Sequence, residues 1–225
     1  YFPYNQELGI YMQQDGFMDK EQIMASDLPV AQRPINQHWS WDRILRSCFI
    51  KQADTLQGIY VLEHEYDTDT IRKHFDFYDP LTVHESSLSP CVHSILAARI
   101  GRLNKAYEMY LRTSRLDLDD YNNEVHEGLH ITSMAGTWMS IVEGFGGKRV
   151  HDGQLFLNPI IPEQWTAYTF RITFRGRDLE VRVDQKSVNI LSHARQTAEL
   201  RLYNQVITIE PGASVSAALK PDFYA

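Results

Sequence analysis

The sequence predicts an α+β chain of two domains, an array of paired helices followed by a small antiparallel β-sandwich. Between about residues 39 and 145, apolar residues recur at three- and four-residue spacing, which is the period of a helix. After Gly146-Gly147 the pattern changes to the strict alternation of half-buried strands. We therefore expect domains at residues 1–147 and 148–225.

Four apolar stripes predict the helices of the first domain. They are Ala53, Leu56, Ile59 and Tyr60; Leu88, Val92, Ile95, Leu96 and Ile100; Leu103, Ala106, Tyr107, Tyr110 and Leu111; and Ile131, Met134, Ala135, Trp138, Ile141, Val142 and Phe145. Little more than Gly101 separates the second stripe from the third, so we expect those two helices to be antiparallel neighbours. The first forty residues carry turn signals without a sustained period, which predicts mostly irregular chain packed against the helices.

The second domain is predicted to begin with a β-hairpin. Its first strand presents Tyr168, Phe170, Ile172 and Phe174 to one side, and its returning strand presents Leu179, Val181 and Val183. Gly176-Arg177-Asp178 between them is expected to form the turn. Further short strands are expected near residues 188–191, 199–203, 206–210 and 215–219, with Pro211-Gly212 as a turn.

Composition excludes several classes of protein. With 43% hydrophobic residues the chain is globular, and its net charge of -7 offers no basic surface for nucleic acid. No apolar run reaches the length of a membrane span and no leader is visible, so we expect a cytoplasmic protein with no membrane partner. Cys48 and Cys91 lie far apart, which favours buried thiols, with one disulfide as the alternative.

Two hydroxyl-rich segments precede predicted helices. In His84-Glu85-Ser86-Ser87-Leu88-Ser89-Pro90, Pro90 suits the first helical turn. The unpaired N–H groups at a helix start attract anions, so Ser86 and Ser87 are candidate phosphate ligands, although one of them could simply be the N-cap.

A second combination of histidine and hydroxyl residues before a predicted helix occurs in residues 128–138. His130, Thr132 and Ser133 open the fourth predicted helix, and Gly136 follows about one turn later. Glycine lowers helix stability, so a close approach by backbone or by a ligand would explain it. A buried structural histidine is the alternative for His130.

Lys51-Gln52 lies at the start of another predicted helix. Held inward, this pair would supply hydrogen-bond donors and an acceptor for a sugar or an anion, whereas a solvated lysine is the alternative. The remaining histidines show no metal-ligand spacing, so no metal site and no cofactor is expected.

The three clusters together resemble glycoside hydrolase family 65. The resemblance continues through Phe145-Gly146-Gly147 and the Asn158-Pro159 stretch into the hairpin Phe174-Arg175-Gly176-Arg177, so it covers essentially the whole chain. It implies the second part of an (α/α)6 barrel followed by the small C-terminal β-sandwich domain of that family.

The resemblance also implies a function. The family reaction is reversible phosphorolysis of an α-glucosyl disaccharide with inversion, here expected to be maltose, and inorganic phosphate is a substrate. Lys51 and Gln52 would contact the transferred glucose. The residues that would orient phosphate are Ser86, Ser87, His130, Thr132 and Ser133. No residue matches the family's catalytic glutamate, so no catalytic residue is assigned and the isolated chain is expected to be inactive.

Expected partners are the disaccharide, phosphate and the remaining N-terminal part of the enzyme, whose intact form is expected to be a homodimer. Two alternatives remain. One is a trehalose, kojibiose or hydrolase relative of the same family, because the residues that select the linkage are expected to lie outside this chain. The other is a non-catalytic carbohydrate-binding module, which would have no use for two hydroxyl-rich helix starts and should ignore phosphate.

Overall fold

The computed structural model describes residues 2–224 and places helices before sheets, as expected. The helices are α1 (Ile35–His38), α2 (Trp41–Arg46), α3 (Asp54–Val61), α4 (Thr68–Tyr78), α5 (Ser89–Arg99), α6 (Leu103–Ser114) and α7 (Ile131–Met139), and α7 continues as one π-helical segment, Ser140–Phe145. Within the described residues, no helix is long and apolar enough to cross a membrane.

The first forty residues form mostly irregular chain, as predicted. They contain a two-residue hairpin of β1 (Tyr4–Asn5) and β2 (Ile10–Tyr11), followed by three short 3-10 turns. Ile10, Phe17 and Ile35 are fully buried and tie this segment to the helical core.

Helix α5 is the centre of the helical part. All of its residues from Ser89 to Ala98 are buried, because helices pack on every side of it. Gly101 has a positive φ of 78°, which turns the chain sharply into α6. The predicted antiparallel pair is therefore confirmed, although Leu88 lies before the helix and is partly exposed.

Helix α7 departs from the prediction. The first half of its apolar stripe was expected to face the core, but Ile131 is 67% exposed and Trp138 is 49% exposed, whereas Val142 and Phe145 in the π-helical segment are buried as predicted. The buried face consists of the small residues Ser133, Gly136 and Ser140. Small residues allow α7 to approach α5 and α6 closely, so the large apolar residues point outward.

Eight strands form two four-stranded sheets after the helices. The strands are β3 (Arg149–His151), β4 (Gln154–Leu157), β5 (Ala167–Phe174), β6 (Arg177–Asp184), β7 (Ser187–Ser192), β8 (Ala198–Leu202), β9 (Gln205–Ile209) and β10 (Ser214–Ala218). One sheet has the order β10-β7-β6-β5 and the other β3-β4-β8-β9. Their inward residues form a second apolar core, separate from the helical one.

Two details of the sheets differ from the prediction. The turn between β5 and β6 consists of Arg175 and Gly176, both with positive φ, and Phe174 pairs with Arg177. The turn therefore begins one residue earlier in the sequence than Gly176-Arg177-Asp178, where it was predicted. In addition, β4 and β8 pair in parallel, with Phe156 opposite Arg201, so the second sheet is not wholly antiparallel.

Polar contacts fasten the sheets to the helices. The hydroxyl of Tyr168 lies 2.8 Å from the main-chain oxygens of both Phe145 and Ile160. Arg149 binds Glu63, which follows α3, through Nε and Nη2, each at 2.8 Å. The predicted division between residues 147 and 148 falls between the π-helical segment and β3.

Both cysteines are buried free thiols, which confirms the favoured expectation over a disulfide. Cys48 exchanges hydrogen bonds with the main chain of Ile23, and Cys91 packs between α5 and α7.

The stability of the fold should depend on pH through His74 on α4. This ring is fully buried; Nδ1 donates to the Thr70 oxygen and Nε2 accepts from the Tyr11 amide. Burial lowers the pKa of His74 below 6.5, with a smaller opposing effect of the Thr70 bond. The unfolded chain therefore binds the proton more tightly, so this stabilisation is present above pH 6.5 and lost as the pH falls.

Urea unfolding at pH 7.5 and pH 5.5 measures this effect. We expect His74→Gln to reduce the loss of stability between the two pH values, by up to about 1 kcal/mol. The exposed His126 provides the matched control, because His126→Gln should leave the pH dependence unchanged. Equal pH dependence in all three proteins would contradict the role of His74.

Candidate functional site

Two of the predicted clusters run side by side at one end of the helices. Ile50 and Thr82 form a parallel β-bridge, in which the Ile50 amide donates to the Leu81 oxygen at 2.9 Å. The Val83 amide donates to the Ile50 oxygen at 3.0 Å. Beyond the bridge, one segment continues into residues 51–52 and the other into residues 84–87. The residues predicted to bind glucose therefore follow a segment that runs beside the one leading to the predicted phosphate residues.

The second and third clusters meet directly. The hydroxyl oxygens of Ser87 and Thr132 lie 2.8 Å apart, although the residues are far apart in sequence. The N-cap alternative is wrong for both serines, because α5 begins at Ser89 without a side-chain cap. Ser86 instead accepts from the amide of Leu88 at 3.2 Å. The starts of α5 and α7 therefore share one hydroxyl-lined surface, here called the hydroxyl surface (Ser86, Ser87 and Thr132).

His130 precedes α7 and is held by carboxylates. Its Nδ1 lies 2.6 Å from Asp117 Oδ1, and its amide donates to Oδ2 of the same residue at 2.9 Å. Nε2 lies 3.8 Å from Glu124. These hydrogen bonds from His130 lower the pKa of Asp117. The ring is partly exposed, so the buried structural alternative does not describe it.

Ser133 differs from the other predicted phosphate residues. Its side chain is buried, and its hydroxyl donates to the Thr113 main-chain oxygen at 2.7 Å. This bond joins α7 to α6, so the hydroxyl proton of Ser133 is already committed within the protein. The structure does not bring Ser133 onto the hydroxyl surface.

Lys51 and Gln52 line a shallow cavity of about 280 Å3 beside α2. The ammonium group of Lys51 lies 5.0 Å from the centre of the Trp41 ring, and Gln52 is exposed. An exposed aromatic face next to donors and acceptors is a common arrangement for binding a sugar ring. Trp41 was not identified from the sequence.

The charges beneath the hydroxyl surface were also missed. Glu85 is 5% exposed and accepts from the Ile35 amide at 2.7 Å. Burial raises the pKa of Glu85, and this effect is opposed by that hydrogen bond and by the nearby cations Arg33, Arg112 and Lys51. Glu85 and three cations thus form one group of charges, and Asp117 and Glu124 add two further carboxylates beside His130. No sequence motif predicts this grouping of charges, since the cations come from distant segments.

Arg112 fixes the loop that carries the serines. Its Nη2 donates to the main-chain oxygen of His84 at 2.9 Å, and its guanidinium group lies 4.3 Å from the Tyr121 ring centre. Burial lowers the pKa of Arg112, with opposing effects of Tyr121 and Glu85. Arg112 thus both anchors the loop and contributes positive charge.

A larger cavity lies elsewhere. It measures about 800 Å3 and lies between the helices and the sheets, where its lining includes Arg72, Arg99, Arg149 and Tyr224. None of the predicted site residues lines it. We place the candidate site at the hydroxyl surface because two predicted phosphate ligands, Ser87 and Thr132, meet there beside the cations around Glu85.

Gly136 is explained by the close packing of helices. A Cβ at this position would lie 2.8 Å from Cys91 Cβ and 3.1 Å from Thr113 Cγ2. The close approach expected from the sequence is therefore made by side chains of α5 and α6.

We expect Gly136→Ala to lower the free energy of unfolding by about 1–3 kcal/mol, because α7 must shift to relieve the overlap. Gly58 in α3 is the matched control, since a Cβ at Gly58 would meet no packed neighbour within 4 Å. Gly58→Ala should stabilise the chain by about 0.5–1 kcal/mol. Urea unfolding of both variants checks the contrast, and a stabilising Gly136→Ala would contradict it.

The chain is similar to several phosphorylases. It is 47% identical to maltose phosphorylase of Bacillus subtilis over 210 residues, which is 93% of this chain and 28% of that protein. It is 38% identical to α,α-trehalose phosphorylase of Thermoanaerobacter brockii, covering 94% of this chain and 27% of that protein. The chain thus spans a little over a quarter of these relatives.

A solved structure of a protein from the human microbiome, which carries the name putative kojibiose phosphorylase, matches the fold. Its TM-score is 0.88 at 36% identity, covering 97% of this chain and 30% of that chain. Residues 1–139 match the Glycosyl hydrolase family 65 central catalytic domain, and residues 149–209 match the C-terminal domain of the same family. The chain therefore belongs to glycosyl hydrolase family 65.

Proposed function

We propose that this chain supplies the phosphate- and glucose-binding part of an inverting maltose phosphorylase. The observation that carries the proposal is the contact between Ser87 and Thr132, which joins two helix starts near the cations around Glu85. Such an arrangement suits an oxyanion, because helix N-termini and hydroxyl groups donate and nearby cations attract. Lys51, Gln52 and Trp41 line a cavity of their own and would hold the transferred glucose, and Lys51 is close enough to Glu85 to act on its charge.

The proposed reaction converts maltose and phosphate to β-glucose 1-phosphate and glucose. A phosphate oxygen attacks the anomeric carbon from the face opposite the departing sugar, whose oxygen is protonated by a carboxylic acid. Phosphate takes the place of the water in an inverting glycosidase, so the protein needs no general base. The hydroxyl surface and His130 orient the nucleophile, and the acid comes from the part of the enzyme outside this chain.

Maltose is favoured by overall similarity. Identity is higher to a maltose phosphorylase than to the trehalose phosphorylase above or to a kojibiose phosphorylase of Halothermothrix orenii, at 35%. The alternative is therefore one of these sister activities, in which the same phosphate site would serve a different linkage.

We further propose that the outward face of α7 contacts the remainder of the enzyme. Its exposed apolar residues are Leu129, Ile131, Met134 and Trp138. A contiguous apolar surface of this kind is typical of an interface. The relatives are more than three times as long as the matched region, so a large segment is available in them to cover it.

Maltose phosphorolysis tests the proposal. We expect no β-glucose 1-phosphate from the purified chain alone, and activity from a chimera in which this chain replaces the matching region of the Bacillus subtilis enzyme. Trehalose and kojibiose, assayed in parallel, distinguish the sister activities. Activity of the chain alone would contradict the assignment of the acid to another segment. An inactive but folded chimera that binds maltose and ignores phosphate would favour the carbohydrate-binding module.

A further inference from the structure

Three potential metal ligands converge behind the loop that carries Ser86 and Ser87. Asp79 follows α4, His84 lies in the loop and His93 is on α5. His84 Nε2 lies 3.6 Å from Asp79 Oδ1, and His93 Nε2 lies 3.8 Å from the same oxygen. One ligand atom from each residue lies within 4.8 Å of the other two.

None of the three converging atoms has a hydrogen-bond partner among the described residues. Asp79 Oδ1, His84 Nε2 and His93 Nε2 are all buried and unpaired. The His93 side chain is completely buried, and its Nδ1 lies 3.0 Å from the Ser89 main-chain oxygen. A carbonyl oxygen can only accept, so Nδ1 carries the proton and Nε2 of the neutral ring presents a lone pair to Asp79.

His93 Nε2 and Asp79 Oδ1 therefore both present lone pairs, which is unfavourable in a buried setting without a donor or a cation between them. A positive centre between them removes the conflict. Two imidazole nitrogens and a carboxylate oxygen are a donor set that suits zinc, and the Ser89 oxygen supplies the outer hydrogen bond that fixes a zinc-bound histidine.

We propose that Asp79, His84 and His93 bind one divalent transition-metal ion of the zinc class, in a structural role. Tetrahedral bonds of about 2.0–2.1 Å require ligand atoms about 3.3 Å apart. The separations of 3.6 and 3.8 Å from Asp79 Oδ1 are close to this spacing, and the two histidine nitrogens, which lie within 4.8 Å of each other, must close by at most about 1.5 Å. Asp79 and His84 are partly exposed, which gives the ion a route of entry and leaves the fourth position to water. The ion would fix His84 and thereby the start of the loop.

Lys105 opposes this binding. Its ammonium group lies 3.3 Å from the second oxygen of Asp79, Oδ2, and also 3.6 Å from Glu108. A positive charge so close lowers affinity for a cation. Because Lys105 uses Oδ2 and leaves Oδ1 free, the ion and the lysine can share the carboxylate.

Titration of the metal-free chain with Co2+, followed by its visible absorption, tests the site. We expect one equivalent of Co2+ to give the spectrum of a four-coordinate site with nitrogen and oxygen ligands. Added Zn2+ should displace the Co2+ and abolish that spectrum. Zn2+ should also raise the melting temperature. Absence of Co2+ binding, or binding with an octahedral spectrum only, would overturn the proposal.

Variants locate the ion. His84→Asn should weaken Zn2+ binding at least about tenfold, and asparagine tolerates the positive φ of 54° at this position. Should that variant unfold, Asp79→Asn replaces it. Lys105→Met should tighten binding several-fold; an unchanged affinity counts against the site.

The control addresses a competing surface pair. The rings of His64 and His151 lie 4.5 Å apart and are partly exposed, so they could bind added metal. His64→Gln should leave the titration unchanged if the ion occupies the buried cluster. Loss of binding in His64→Gln but not in His84→Asn would overturn the proposal.

Discussion

Arg149→Met is expected to lower the free energy of unfolding by about 2–4 kcal/mol. The guanidinium group binds both carboxylate oxygens of Glu63 and also donates to the main-chain oxygens of Glu143 and Lys148, at 2.5 and 2.8 Å. Removing it leaves the Glu63 carboxylate, whose side chain is 13% exposed, facing the more distant Arg99 at 3.9 Å. Breaking a buried pair costs about 3–5 kcal/mol, and partial exposure reduces that figure.

The matched control is a surface pair in the sheet. Arg171 binds Glu180 at 2.6 Å with its own side chain 72% exposed, so Arg171→Met should cost less than about 1 kcal/mol. Urea unfolding of both variants measures the contrast. The double variant Arg149→Met with Glu63→Gln should recover part of the loss, since no uncompensated charge remains. Equal effects of Arg149→Met and Arg171→Met would contradict the prediction.

His130→Gln in the chimera is expected to lower kcat/KM for phosphate about 100-fold, which is the usual effect of removing one preorganised donor to a reacting anion. This prediction rests on the proposed function. Glutamine can still donate to Asp117 through its amide, but it has no second ring nitrogen to offer to phosphate. The KM for maltose should change little, because Lys51 and Gln52 are untouched.

Steady-state kinetics at varied phosphate and fixed maltose checks this result. His126 lies in the same loop with its side chain 74% exposed, so His126→Gln is the matched control and should keep the parent rates. A similar loss in both variants would point to the loop as a whole. An increased KM for maltose alone would contradict the phosphate role of His130.

The sequence alone predicted the helices and strands that are amphipathic over several turns. Apolar spacing was sufficient to predict helices α5 and α6 and strands β5 and β6, because this spacing decides which side chains can share a buried face. Helix α4 was missed, since His74 and several charged residues interrupt its apolar stripe. The predicted buried face was wrong for α7 itself and correct for Val142 and Phe145 in the π-helical segment, because periodicity identifies an apolar stripe but not what covers it.

The candidate site could be predicted only where its residues adjoin in sequence. The hydroxyl surface came from two such motifs, and the structure joins them through Ser87 and Thr132. Arg33 and Arg112 could not be found, because their proximity to Glu85 depends on the packing of three segments. Asp79, His84 and His93 likewise follow no motif spacing, since each belongs to a different element.

The parallel pairing of β4 with β8 also constrains how the chain reaches its native state. Strands β5, β6 and β7 pair with their immediate neighbours in sequence, so this meander closes only short loops. The partner of Phe156 is Arg201, and the whole meander lies between them. Closing that long loop is entropically more costly before the meander has formed. From this connectivity we expect the meander to form before β8 pairs with β4 and completes the second sheet.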